Sequence, residues 1–282
     1  MKEKQLSISN QPILTLSNGV SIPQLGLGVY GAKEGKQTEQ TVLWALKAGY
    51  RHIDTAAVYG NEYSVGSALR KSGVPRNEVF LTGKIWNSHI RTGQTLQAFY
   101  QILKNLGTDY LDLCLLHWPV EGKEEAWSTL IQLYEQKRIH AIGVSNFHVH
   151  HLNDLIRATG VKPMLDQIES HPLMNNQLLI DTLRKNEIAV GVWSPLGGPK
   201  VPLLEHPTLQ MLAAKYGRTP AQIVLRWDIQ RQVAVIPKSV HQDRIISNSQ
   251  LFDFELSAED MQQIQSLDMG LRVGPDPENF DF

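Results

Sequence analysis

Short apolar runs and amphipathic stretches alternate along this chain with a regular beat. From Thr38 to Ala48, apolar residues recur at helical spacing through Val42, Leu43, Ala45 and Leu46. Similar stretches cover 63–71, 92–106, 124–136, 149–158, 177–185, 207–216 and 220–230, with the period of a half-buried helix. Between them lie compact apolar runs at 24–27, 51–54, 79–84, 111–117, 141–145, 164–168, 189–193 and 233–236. Runs this short, bounded by turn residues, read as buried strands. Strand and helix in alternation imply parallel strands joined by helical crossovers. Eight such strands, with no linker or break in composition, predict a single (β/α)8 barrel domain over 1–282, since that fold typically takes ~250 residues. An open doubly wound sheet is the alternative. Ahead of the barrel, Ile13 to Leu16 and Val20 to Pro23 flank Asn18-Gly19, the signal of a tight hairpin.

Composition narrows the function. The net charge is −1, which argues against a nucleic-acid or membrane-surface role. Cys114 is the only cysteine, so no internal disulfide is available and a reducing compartment fits. It sits inside Leu111 to Leu116 and reads as a small core residue. No apolar run is long enough to span a bilayer, and Met1 to Gln5 lead into no signal core. The expectation is a cytoplasmic protein, monomeric by default, acting on a small molecule.

A barrel places its chemistry just after its strands. The residues there are Asp54, Lys84, His117, Ser145-Asn146, Gln167, Trp193-Ser194 and Lys238-Ser239. Nearly all are polar or titratable, directly after apolar runs, which predicts one polar site at the barrel mouth. Tyr59 follows Asp54 on a Gly-Asn turn and can face the same site. A free phenol has a pKa of about 10, and a neighbouring ammonium favours the phenolate. Asp54 would keep Lys84 charged and in place, and a neutral His117 could bond a substrate oxygen. Asp54, Tyr59, Lys84 and His117 thus make a workable proton donor to a carbonyl oxygen.

Three stretches then resemble the aldo-keto reductase superfamily, in order and nearly end to end. They are Gly49-Tyr50-Arg51-His52-Ile53-Asp54-Thr55-Ala56 with Glu62 and Gly66, Ala141-Ile142-Gly143-Val144-Ser145-Asn146-Phe147, and Ile236-Pro237-Lys238-Ser239 with Arg244 and Asn248. The resemblance implies a (β/α)8 barrel that reduces aldehydes and ketones with NADPH. It implies Tyr59 as general acid, Lys84 as its tuner, Asp54 as partner of Lys84, and His117 as carbonyl orienter. Ser145, Asn146 and Gln167 would hold the nicotinamide carboxamide and Trp193 would stack under the ring. Ser194, Leu196 and Gly197 would line the pyrophosphate path. Lys238, Ser239 and Arg244 would take the 2′-phosphate, and Asn248 the adenine. Trp193 departs from the tyrosine common in the family. His140, His241 and Ser247 also depart from its usual residues, and the last two leave the degree of NADPH preference open. A lyase using Lys84 as a Schiff-base nucleophile and a non-catalytic cofactor-binding subunit are the alternatives.

The substrate pocket should be aromatic, with Tyr30, Trp86 and Trp118, and His89 as a further candidate, following strands one, three and four. Short loops at Val120 to Lys123 and Gly197 to Pro202 suggest an open, shallow pocket. The tail from Gly270 to Phe282 reads as mobile from its composition, whereas the resemblance folds it over the mouth with Phe280 or Phe282 at the substrate. Three motifs read as decoys. Gly26-Leu27-Gly28-Val29-Tyr30-Gly31 spells the dinucleotide fingerprint, but no helix opens at its end. No carboxylate or cysteine completes a set with His148, His150 and His151, and adjacent helical positions do not share a face, so no metal is expected. Gln37 to Gln40 and Glu255 to Gln265 read as solvated helix faces.

Overall fold

The computed structural model describes residues 11–198, 201–280 and 282. Met1 to Gln5, Pro199, Lys200 and Asp281 lie outside the described residues. The hairpin forms as expected, with β1 (Ile13–Thr15) antiparallel to β2 (Ser21–Pro23). Eight parallel strands follow: β3 (Leu27–Gly28), β4 (His52–Asp54), β5 (Phe80–Ile85), β6 (Leu111–Leu116), β7 (Ile139–Ser145), β8 (Leu165–Glu169), β9 (Ala189–Trp193) and β10 (Ala234–Ile236). They pair in chain order from β3 to β10. Bridges Leu25–Val235 and Gly28–Lys238 join the last strand to the first and close the barrel. The doubly wound alternative is therefore excluded.

Closure explains the glycines of the false fingerprint. A Cβ on Gly26 would stand 2.7 Å from His52 Nδ1, and one on Gly28 3.1 Å from Ile236 Cγ2. These glycines let β3 and β10 approach, and the first helix opens only at Lys36. The hairpin sits at the opposite end from the strand termini that carry the polar residues, since Pro23 accepts from or lies against His52 Nδ1, 3.3 Å away, at the start of β4.

The crossovers are α1 (Lys36–Lys47), α2 (Glu62–Ser72), α3 (Asn87–Arg91), α4 (Thr95–Leu106), α5 (Lys123–Glu135), α6 (Val149–Thr159), α7 (Gln177–Lys185), α8 (Pro207–Tyr216) and α9 (Pro220–Gln230). Then come α10 (Gln242–Ser249) and α11 (Ala258–Gln265). The helix expected over 92–106 begins at Thr95 because Gly93 takes φ +66 and ends the turn that α3 starts. The main core lies between strands and crossovers and includes Phe99, Cys114, Trp127 and Phe147. A smaller one joins α8, α9 and α11 around Trp227 and Leu212. Two helix faces are less solvated than the sequence suggested. Asp260 of α11 is 1% exposed and accepts from Lys215 Nζ at 2.7 Å, from Ser257 Oγ at 3.0 Å and from Tyr216. Glu39 of α1 accepts from Ser67 at 2.6 Å and Lys71 at 2.7 Å on α2. Among the described residues, no helix is long and apolar enough to cross a membrane.

Gly66 fixes how α2 meets α4. A Cβ there would fall on the backbone carbonyl of Leu106, which cannot rotate away. Gly66→Ala should gain about 1 kcal/mol of helix propensity but lose more by forcing the helices apart. A net loss of about 1–3 kcal/mol is expected in urea unfolding, the usual cost of overpacking.

Candidate active site

Asp54 ends β4, and Lys84 lies one residue before the end of β5. The Lys84 side chain is 0% exposed and is ion-paired to Asp54 Oδ1. Its Nζ also donates to the Thr55 carbonyl at 3.2 Å. The other carboxylate oxygen of Asp54 accepts from Gln167 Nε2 at 2.8 Å. Burial drives the pKa of Lys84 down, and Asp54 only partly restores it.

Tyr59 closes a 3-10 turn, Ala57–Tyr59, that stops at Gly60 with φ +65. The turn sets its ring 5.3 Å from Lys84 Nζ, 5.8 Å from the His117 ring and 5.1 Å from the Tyr30 ring. The four residues named from the sequence thus meet. One expectation fails: the phenol is not drawn down. Burial, then Asp54 and Tyr30, hold its pKa well above the ordinary tyrosine value, because the charge of Lys84 is matched by Asp54. His117 follows β6, and its backbone N–H donates to Ile85 at 3.1 Å. Burial and the Lys84 ammonium hold its imidazole well below the usual histidine pKa, so it is neutral near pH 7.

The residues expected to hold a carboxamide lie beside this set. Ser145 Oγ donates to the Gln167 carbonyl at 2.8 Å. Asn146 Nδ2 donates to the His117 carbonyl and to Ser145 Oγ, both at 3.1 Å. Trp193 Nε1 donates to Asn146 Oδ1 at 2.8 Å. Asn146 and Ser194 have φ +65 and +52, an unusual backbone for such residues and one concentrated at functional sites. Ser145, Asn146 and Gln167 are thus linked to one another and to Asp54, His117 and Trp193 by hydrogen bonds. Strand β8 runs to Glu169, two residues past Gln167.

On the β10 side, Lys238 and Arg244 are exposed, and neither forms an ion pair among the described residues. Ser239 Oγ accepts from the His241 N–H at 3.1 Å, at the entry to α10. Asn248 lies on the buried side of that helix. Leu196 is partly buried and Gly197 takes φ +77 in the turn after β9. Two free cations at one side of the mouth and amide groups at the other fit the two ends of a phosphorylated dinucleotide. His140 lies elsewhere, stacked 4.5 Å from Tyr110 and 3.5 Å from Asp112.

The pocket is roofed, which the sequence did not establish. Phe282 stacks on Trp86 with ring centroids 5.6 Å apart and planes 5° off parallel. Phe280 lies 4.9 Å from Trp118. The short loops therefore do not leave the mouth open, because the tail spans it. Tyr30 remains 70% exposed at the rim, and His89 makes no ring contact with this group among the described residues. Sequence reasoning missed what anchors the tail. The buried Glu169 carboxylate accepts from the N–H groups of Val273 at 2.6 Å and Gly274 at 3.2 Å, and Arg272 stands 3.6 Å from it. Gly274 packs against the Trp193 indole, where a Cβ would stand 2.3 Å from Cη2. Glu169 ended an apolar run and carried the same signal as the other strand ends. The rim also gathers three histidines against the tail: Glu278 Oε1 is 2.6 Å from His148 Nδ1 and 3.5 Å from His150 Nε2.

Known proteins resemble this chain in sequence and fold. The family model described as the aldo/keto reductase family matches residues 24–269. An uncharacterised oxidoreductase of Bacillus subtilis is 49% identical, with 95% of this chain and 97% of that protein aligned. The glyoxal reductase of the same organism is 45% identical, over 95% of this chain and 96% of its own length. A crystal structure of a Bombyx mori aldo-keto reductase in complex with NADP superposes with a TM-score of 0.89 at 35% identity, covering 95% of this chain and 96% of that one. With the barrel, the mouth and these matches agreeing along almost its whole length, the chain belongs to the aldo/keto reductase family.

Proposed function

We propose that this protein reduces small aldehydes and ketones, dicarbonyls among them, to alcohols with NADPH, and that Tyr59 delivers the proton. The observation that carries the reading is the Tyr59 ring between the buried Lys84–Asp54 pair and a neutral His117. The glyoxal reductase relative supports the substrate class, and the neighbour crystallised with NADP supports the cofactor. Lys238 and Arg244 would hold the 2′-phosphate through charge-assisted bonds. Trp193 would give the nicotinamide a flat face, and Ser145, Asn146 and Gln167 would hold its amide. When bound, the cofactor supplies the hydride to the carbonyl carbon. His117, uncharged, bonds the carbonyl oxygen and orients it. Tyr59 gives its proton to that oxygen as negative charge builds there. Its raised pKa keeps the proton on the phenol in the resting site. The aromatic roof of Trp86, Trp118, Phe280 and Phe282 excludes water from the step. A Schiff-base role for Lys84 fits poorly, since its nitrogen is fully enclosed and bonded to Asp54 and Thr55.

Tyr59→Phe should lower turnover of methylglyoxal and of a simple aromatic aldehyde by about 10²–10⁴, the range for loss of a general acid. NADPH binding followed by fluorescence should change little, and full activity in this variant would overturn the assignment. Lys238→Ala and Arg244→Ala should each weaken NADPH binding far more than NADH binding; equal losses for both cofactors would remove the phosphate role. The third expectation concerns pH. Burial and Lys84 depress the pKa of His117, so falling pH leaves it neutral through the ordinary histidine value of about 6.5. The acid limb of kcat/KM should therefore show no inflection near 6.5 from this residue. An inflection there that disappears in His117→Gln would show that the imidazole titrates normally.

A further inference from the structure

The tail brings a carboxylate to the histidines at the start of α6. In the sequence, His148, His150 and His151 have no acidic partner, but in the fold Glu278 arrives from 130 residues downstream. One ligand atom from each of His150, His151 and Glu278 lies within 4.8 Å of the others. Adjacent histidines in a regular helix point apart, yet here the His150 and His151 rings are 3.9 Å centre to centre, in the first turn. The backbone that carries Glu278 is held. Its backbone N–H donates to Asp276 Oδ1 at 3.0 Å, and Asn279 N–H donates to the Asp276 carbonyl at 3.0 Å, so a tight turn presents it.

We propose that His150, His151 and Glu278 form a binding site for a divalent cation of the zinc class, and that the bound ion staples the tail across the barrel mouth. Two imidazoles and one carboxylate, with a fourth place for water, are a donor set that zinc accepts. Ligands around one zinc ion lie about 3.3 Å apart for bonds of ~2.0–2.1 Å. The three groups need to close by about 1.5 Å from the present 4.8 Å limit, which side-chain rotation can supply. His148 Nδ1 stands 2.6 Å from Glu278 Oε1, the oxygen that also lies 3.5 Å from His150 Nε2, so His148 orients the carboxylate toward the site. His151 Nδ1 now accepts from the His148 N–H at 3.1 Å, and binding through Nε2 would exchange that bond for the metal. The positive end of α6 opposes a cation, and the Glu278 charge offsets it. The staple acts on the roof because Glu278 lies two residues before Phe280, which packs on Trp118. The site is separate from the carbonyl chemistry and stands or falls independently of it.

The test uses untagged protein, because the chain holds ten histidines and a tag would add more. Zn2+ is titrated against a chromophoric chelator with the wild type, His150→Ala and Glu278→Gln. One ion per wild-type chain is expected, with binding weakened about tenfold or more in each variant, at least the loss seen when a partner of a metal ligand is removed. Hydrogen exchange then reads the tail. Zn2+ should slow exchange of the amides from 275 to 282 in the wild type and leave both variants unchanged. No wild-type binding, or binding that survives both substitutions, would overturn the site. Binding without slowed exchange would overturn the staple.

Discussion

The structure depends on a charged pair placed where charge is expensive. Lys84 and Asp54 are both buried inside the barrel. Desolvating an ion in a protein interior costs several kcal/mol after relaxation, and mutual attraction offsets this only when the remaining hydrogen bonds are made. Here they are made by the Thr55 carbonyl and the Gln167 amide. Thr55 follows β4 and Gln167 lies on β8, so the pair is satisfied only once β8 faces the neighbouring β4 and β5 across the closed barrel. The network runs on through Ser145 and Asn146 after β7 to Trp193 of β9. A barrel opened at any of these strands would strand a buried charge or a buried amide. The same constraint fixes the mouth, since Tyr59 and His117 rest on this platform.

The second constraint comes from the tail. Glu169 is a buried carboxylate whose oxygens are taken up by two tail N–H groups and approached by Arg272. Without the tail it would lose both N–H donors and Arg272 and keep only the His171 ring, whose Nε2 stands 3.4 Å from Oε1. The tail in turn lays Gly274 on Trp193 and two phenylalanines on Trp86 and Trp118. This cover helps to explain the electrostatics beneath it. A drier mouth raises the Tyr59 pKa and lowers that of His117, so both sit in their uncharged forms. Uncharged hydrogen-bond donors suit a substrate oxygen that starts neutral and gains charge during the reaction.

Strand and helix alternation was legible because each strand is a short apolar run and each crossover is amphipathic. The catalytic candidates were legible for a related reason: a titratable residue directly after such a run has few places to point except the mouth. Glu169 carried the same signal but was passed over when β8 was ended early. What the chain hid is what depends on distant partners. Gly26 and Gly28 look like a phosphate loop until Ile236 and His52 are placed against them. Asp260 looks solvated until Lys215 and Tyr216 reach it from α8. The histidines of α6 look incomplete until Glu278 arrives. The direction of the Tyr59 shift was hidden because Asp54 reads only as the group that keeps Lys84 charged, whereas burial and the charge of Asp54 itself raise the phenol.

The division of labour between the two ends of the mouth follows from which groups are already bonded. Ser145, Asn146 and Gln167 are hydrogen-bonded within the protein, and Asn146 uses both its amide hydrogens and its oxygen. A carboxamide entering there must replace existing bonds or share them, so each new bond yields little net free energy. What it gains is direction, because the groups around it are held by the strand ends. Lys238 and Arg244 are exposed and form no ion pair among the described residues, so a phosphate meeting them replaces none of those pairs. Affinity for a phosphorylated cofactor should therefore reside at the β10 side and alignment at the β7–β9 side. That arrangement is useful to an enzyme: binding energy drawn from a part of the ligand that does not react can hold the reacting part in a geometry it would not favour alone. It also explains why the aligned groups are wired to Asp54. Gln167 donates to the carboxylate paired with Lys84, and Lys84 Nζ lies 5.3 Å from the Tyr59 ring, so the amide groups and Tyr59 rest on one buried network.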